Sequence, residues 1–422
     1  MQIGVSGDHP DALAFAVALV KTGRHQLVRS CCSPDSLRWL DEQGIPTVAV
    51  TDRDALFSDP EVEVLIVGDA LAERAEVLRR AIRSEKHVLC VHPVDLLPDV
   101  TYEAALVRED TGKVLLPLLW DRLHPGLKRI AELVRSGRLG RMTLLEAEFI
   151  IPEESWSVPA ASSAKVRKRR EPVDPRWDRH PALRVWDSIR FLAGEVLEVS
   201  AVGATGEQLS PTDTLTLTGR CQSGCLFRLL LTRQGIVRNR LVVRGESGEA
   251  ILTSDAGPGG SAQAVWRWGD ESDHATWLWQ PWPDLAVEVE KALAGMPAGI
   301  AWLDATRCLE IFDAVRQSVR RRRVIPLEYE EVSEGANFKT VMTTLGCLTL
   351  VLVVVLFVAL LALGLPLAPW TMYLLLPLLL IFLALQVLGW VIPTPTAQKK
   401  SQETPLVGKG NLADDDAMMK PN

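Results

Sequence analysis

Residues 61–93 read EVEVLIVGDALAERAEVLRRAIRSEKHVLCVHP, and their pattern decides the fold. Positions 62–67 are a short, mostly β-branched apolar run. From 70 to 83 the apolar residues Ala75, Leu78, Ala81 and Ile82 recur at helical spacing, and 87–91 is apolar again until Pro93. A buried strand, an amphipathic helix and a second buried strand within about 30 residues make the βαβ crossover of a parallel sheet. Ligands of such sheets sit beyond the carboxyl ends of the strands. Chemistry is therefore expected at Gly68-Asp69 and at Val91-His92-Pro93.

The flanking sequence extends this unit into an α/β, Rossmann-like domain over 1–140. Strands are predicted at 2–5, 26–31 and 114–120, and helices at 12–21, 36–42 and 102–108; Pro10 suits a first helical turn. A dinucleotide would require G-x-G-x-x-G after the first strand, because the second glycine lets the backbone approach the pyrophosphate. Counted from Gly7, that second place is His9 and the third is Ala12. The fingerprint is broken, leaving the generic capacity of a helix N-terminus for anions. The acid that would grip the adenosine ribose falls at Cys32, followed by Ser33; Asp35, three residues on, either replaces it or starts the next helix.

Lys86-His87-Val88-Leu89-Cys90 with Pro93 resembles the GKHVLCEKP segment of the Gfo/Idh/MocA family of NAD(P)-dependent sugar and inositol oxidoreductases. Gly44-Ile45-Pro46, Asp59-Pro60-Glu61-Val62, Arg122-Leu123-His124-Pro125 with Ser136-Gly137, and Asp187, Arg190, Leu192 and Gly194 are similar to further family segments. The resemblance covers roughly residues 1–330. It implies a second, α+β domain over 141–330 with a largely antiparallel open sheet, NAD(P) as cofactor, a small sugar or polyol as ligand, and a homo-oligomer formed through that sheet. The family's catalytic lysine falls on His92, and its proton-transfer histidine on Arg184. Oxidising an alcohol needs a base beside the hydroxyl, and a guanidinium stays protonated. His92 either takes over as acid/base, since imidazole titrates near neutrality, or fills the turn before Pro93; His180 is either a relocated base or a helix-start residue. The resemblance thus places candidate catalytic residues at His92 and Asp187 and candidate cofactor-binding residues at Gly7, His9, Ser33 and Asp69. It implies sugar or polyol dehydrogenase ancestry with impaired catalysis, or else an inactive, membrane-tethered ligand-binding or scaffold protein.

In the second domain, strands are expected at 142–151, 196–204, 213–219, 225–232, 237–244, 250–253, 262–268 and 276–279, and helices at 180–194, 285–293 and 302–320. Trp266, Trp268, Trp277 and Trp279 alternate on two of these strands, as cross-strand packing pairs or as a sugar-stacking platform. The polar stretch 152–175 reads as a loop, and its basic cluster at 165–170 as a solvated surface or a contact for anionic lipid or nucleic acid. The chain has 422 residues, a net charge of −7 and a pI near 5.7, which gives nucleic-acid binding no support. Its seven cysteines complete no metal set and read as reduced cytosolic thiols, and no signal peptide opens the chain.

After a linker at 331–340, residues 341–363 and 371–392 are two nearly uncharged apolar runs. Each is long enough to cross a hydrocarbon core of about 30 Å at about 1.5 Å per residue. A Gly-Leu-Pro-Leu-Ala-Pro-Trp link joins them into an expected transmembrane hairpin. Lys339, Lys399 and Lys400 flank the runs, so both termini and the soluble domains are expected on the cytoplasmic side of the cell membrane. Residues 393–422 are expected to be a disordered tail.

Overall fold

The computed structural model describes residues 1–151, 174–204, 209–211, 214–233, 238–255, 260–268, 270–329 and Val355. The linker, both apolar runs apart from Val355, the tail and the basic cluster at 165–170 lie outside the described residues. Among the described residues no helix is long and apolar enough to cross a membrane.

The N-terminal part alternates strand and helix: β1 (Gln2–Ser6), α1 (Pro10–Lys21), β2 (Gln26–Cys31), α2 (Pro34–Glu42), β3 (Val48–Ala49), α3 (Arg53–Ser58), β4 (Val64–Val67), α4 (Leu71–Ile82), β5 (His87–Val91), α5 (Asp99–Thr111), β6 (Leu115–Leu118) and α6 (Pro125–Arg135). The strands form one sheet in the order β3-β2-β1-β4-β5-β6, and every pairing is parallel. Helices cover both faces, which is why β4 and β6 are buried at every position. The strand order reverses between β1 and β4, and in such sheets the ligand crevice opens at that point.

The chain then builds β7 (Met142–Ile150), α7 (Val185–Ala193), β8 (Val196–Gly203), β9 (Leu215–Cys221), β10 (Leu226–Thr232), β11 (Asn239–Gly245), β12 (Gly248–Ser254), β13 (Ser261–Trp268), β14 (Glu271–Leu278), α8 (Pro281–Leu293), α9 (Trp302–Arg321) and β15 (Ile325–Pro326). These strands form a nine-stranded sheet in the order β14-β13-β12-β11-β7-β10-β9-β8-β15. All of its pairings are antiparallel except β7 with β10. Its inner face, α6, α7, α9 and one face of the parallel sheet share a single apolar core; a second core lies beneath β4 and β5 against α4 and α5. Residues 1–332 form one compact unit.

Some expected elements change. The helix expected over 180–194 starts at Val185, because His180 and Pro181 initiate a separate short turn. β14 begins at Glu271, directly after a tight turn, so the four indoles are not cross-strand partners: Trp266 faces Asp273, Trp268 faces Glu271 and Trp277 faces Ala262. Trp266 instead lies buried under Arg129, while Trp277 and Trp279 pack edge-on against His124.

Candidate functional site

Glycine is required where β1 turns into α1. Gly7 has a φ of +87°, and a β-carbon there would lie 2.3 Å from the backbone of Gly68 and Asp69; on Gly68 it would lie 2.4 Å from Ala12. The two turns are therefore in backbone contact. Gly68 N donates to Ser6 O (2.7 Å), His9 N to Gly68 O (2.9 Å) and Gly7 N to Cys31 O (3.0 Å). His9 caps α1, its Nδ1 accepting from Asp11 N at 3.1 Å. Burial drives the His9 pKa down to about 4, so the ring is neutral with its proton on Nε2, 3.7 Å from Asp178 Oδ1.

Asp69, at the end of β4, is 1% exposed. Its carboxylate accepts from Ser6 Oγ and Arg53 Nε, both at 2.8 Å. Ser33 caps α2 and gives its backbone N–H to Asp8 Oδ1 (2.7 Å). Cys32 Sγ donates to Gly7 O (3.1 Å), and burial, with the Asp8 charge, raises its pKa to about 12. Asp35 faces solvent beside Arg38 in the first turn of α2.

A pyrophosphate at this turn would need free amide donors and positive potential. The amides of Gly7, His9, Asp11 and Ser33 are already bonded within the chain, and the turn carries the carboxylates of Asp8 and Asp11. Those four amides are thus committed within the chain, and the two carboxylates lower the positive potential of the turn.

Arg74 of α4 ties the carboxyl ends of β4 and β5 together. Its side chain is fully buried and donates to Asp69 O (3.0 and 2.7 Å), to Pro93 O (2.6 Å) and to both carboxylate oxygens of Asp178 (2.6 and 2.9 Å). His92 is 3% exposed and its Nε2 donates to Leu183 O at 2.9 Å. Burial lowers its pKa to about 4, and its Nδ1 has no hydrogen-bond partner. The ring is neutral at pH 7 with its proton on Nε2, and the burial that disfavours its charged form makes the unpartnered Nδ1 a weak base.

Arg184 chelates Asp121 (Nε to Oδ2 3.0 Å, Nη2 to Oδ1 3.1 Å) and lies 3.8 Å above the ring of Trp120. Asp187 is fully buried and belongs to a different group: Arg122 grips both its oxygens and also reaches Asp304 Oδ1 (2.8 Å), which Arg190 contacts at 3.1 Å. Burial raises the Asp187 pKa against the opposing charge of Arg122.

Beside the Arg184–Asp121 pair a cleft of about 100 Å³ opens between the end of β6, α6, α7 and the sheet. Trp120, Asp121, His124, Ser188, Ser254 and Trp279 are among its lining residues. Trp120 and Trp279 stand 6.0 Å apart, centroid to centroid. The buried Trp120 Nε1 has no partner. His124 accepts from Gly126 N through Nδ1 and is held neutral by burial, with a pKa of about 4, which leaves Nε2–H as a donor.

The structure therefore gathers Gly7, His9, Asp69 and His92 around Arg74, keeps Ser33 at the neighbouring strand end, and places Asp187 in a separate ion-pair network. Sequence reasoning missed Asp178, Asp121 and the Trp120–Trp279 cleft. The available signal was charge at two unexpected places: arginine at 74, in the first turn of a helix that follows a buried strand, and arginine at 184. Each implies a buried carboxylate nearby.

No family model matches the chain. It is 26% identical over 220 residues to the uncharacterized oxidoreductase YrbE of Bacillus subtilis, a match covering 50% of this chain and 61%, under two thirds, of that protein. It is 23% identical over 351 residues to myo-inositol 2-dehydrogenase of Thermotoga maritima, covering 75% and 92% of the two chains. The solved structure of levoglucosan dehydrogenase in complex with NADH and levoglucosan matches with a TM-score of 0.63 at 15% identity, over 78% of this chain and all of that one. A parallel sheet ordered 3-2-1-4-5-6, followed by a nine-stranded mixed sheet on a shared core, is thus the oxidoreductase fold of the Gfo/Idh/MocA type.

Proposed function

We propose that this chain descends from NAD(P)-dependent sugar and polyol dehydrogenases of the Gfo/Idh/MocA family, binds a small sugar or polyol in the Trp120–Trp279 cleft, and no longer transfers hydride. The observation that carries the reading is the state of the two positions where the family's lysine and histidine would stand. His92 is buried, neutral and bonded to Leu183 O; Arg184 is protonated and committed to Asp121. A guanidinium cannot serve as the base, and the burial that holds the His92 pKa near 4 makes its unpartnered Nδ1 a weak one. The cleft supports the binding half of the reading, because aromatic rings lining it alongside hydroxyl and N–H groups suit a polyhydroxylated ligand.

The apolar runs 341–363 and 371–392 form the membrane anchor in this reading, with the folded part on the cytoplasmic face. The open face of the nine-stranded sheet, where Val202 and Leu226 are 69% and 54% exposed, is the proposed contact with a second copy.

Calorimetric titration of the full-length chain in detergent with myo-inositol, glucose and xylose tests binding. Absorbance at the nicotinamide band with NAD⁺ or NADP⁺ tests turnover. Saturable binding that Trp279→Ala removes, without cofactor reduction, is expected. Cofactor reduction abolished by His92→Ala would sink the reading.

A further inference from the structure

The crevice at the carboxyl ends of β1, β4 and β5 is where this fold takes its ligand. Here one short segment, 177–184, is bonded to all three strand ends. Arg179 Nη2 reaches Asp11 Oδ1 on the first turn of α1 (3.0 Å). Asp178 receives both Nη groups of Arg74 after β4 and lies 3.7 Å from His9 Nε2 after β1. Leu183 O accepts from His92 after β5. Trp177 and His180 fix the segment to the core: Trp177 is 5% exposed and packs edge-on against His180 and Phe312, with centroids 4.7 and 5.1 Å away.

We infer that residues 177–184 occupy the dinucleotide crevice of this fold, with the Asp178 carboxylate standing on Arg74 where an anionic ligand group would stand. Arg74 alone would be a buried cation without a counter-charge, a strongly unfavourable state. Asp178 neutralises it from within the chain, in the two-pronged geometry guanidinium uses for carboxylate or phosphate. Asp11 does the same for Arg179, so the N-terminus of α1 presents a carboxylate instead of an empty anion seat. The crevice is filled, charge-balanced and hydrogen-bonded without any cofactor. This rests on the reading of the chain as a relative of NAD(P) dehydrogenases, since it is their crevice that the segment fills.

The test uses the full-length chain in detergent. NADH and NADPH are titrated to on the order of 1 mM, an affinity limit near 4 kcal/mol, by fluorescence and by amide hydrogen exchange. The expected result is no binding, and unchanged protection at Gly7, His9, Asp11 and Ser33. Asp178→Ala exposes the Arg74 guanidinium, and its melting midpoint is expected to rise with inorganic phosphate while that of the wild type does not. Micromolar binding of either dinucleotide by the wild type overturns the inference; so does an Asp178→Ala protein that responds to phosphate as the wild type does. If Asp178→Ala does not fold, the wild-type titration decides alone. Dinucleotide binding without polyol oxidation overturns this inference and leaves the loss of hydride transfer standing, whereas binding with oxidation overturns both.

Discussion

Four of the seven histidines, His9, His92, His124 and His180, precede a proline. In three of them Nδ1 accepts the amide of the residue after that proline, which fixes the proton on Nε2. A histidine so bonded is a cap for a helix or turn, and burial keeps all four neutral, with pKa values of about 4 for His9, His92 and His124 and about 3 for His180. In the unfolded chain these groups titrate near 6.5. Between that value and about 4 the unfolded state binds more protons, so their contribution to stability is complete above pH 6.5 and falls as the pH drops toward 4. Each depressed group is worth roughly 3 kcal/mol across that window. The melting midpoint is expected to fall steeply from pH 7 to 4.5, and His92→Asn to flatten the slope; equal slopes in both proteins would refute the assignment. Asp187 also acts at this scale. Replacing it with Ala leaves Arg122 and Arg190 to share the single carboxylate of Asp304, and urea unfolding is expected to show a loss of about 3 kcal/mol.

At the scale of elements, the β1–α1 and β4–α4 turns act as one unit because neither has room for a side chain at its glycine. Gly7→Ala would force a β-carbon to within 2.3 Å of backbone atoms that cannot rotate away, in a left-handed conformation. Gly23 shares a positive φ but has nothing within 4 Å of the added atom. Denaturant titrations should therefore separate them: about 1 kcal/mol lost for Gly23→Ala and more than about 3 kcal/mol for Gly7→Ala. Comparable losses would mean the two turns are not locked together. The periodicity of 61–93 announced this crossover to within a few residues, since apolar alternation and helical spacing are local properties. The tight β13–β14 turn was not legible, because Glu271, Ser272 and Asp273 are polar residues on an exposed strand whose extension is set by pairing with β13.

At the scale of the whole molecule, the compact unit 1–332 carries its own cores, and the apolar stretch 341–392 is the proposed anchor. Membranes from cells expressing the full-length chain, washed with alkaline carbonate, are expected to retain it in the pellet. Release into the wash would remove the anchor from the reading.

The alternation of strand and helix, the break in the glycine fingerprint and the absence of a lysine before Pro93 follow from the sequence by itself, because strand periodicity and residue identity at fixed spacing are local. Only the tertiary structure decided what stands in the vacated places. Asp178 is 104 positions from Arg74 and Leu183 is 91 from His92. Pairings at that separation leave no local period; they arise because a buried cation or imidazole must find a partner, and the packing of α7 and its leading segment over the strand ends supplies one.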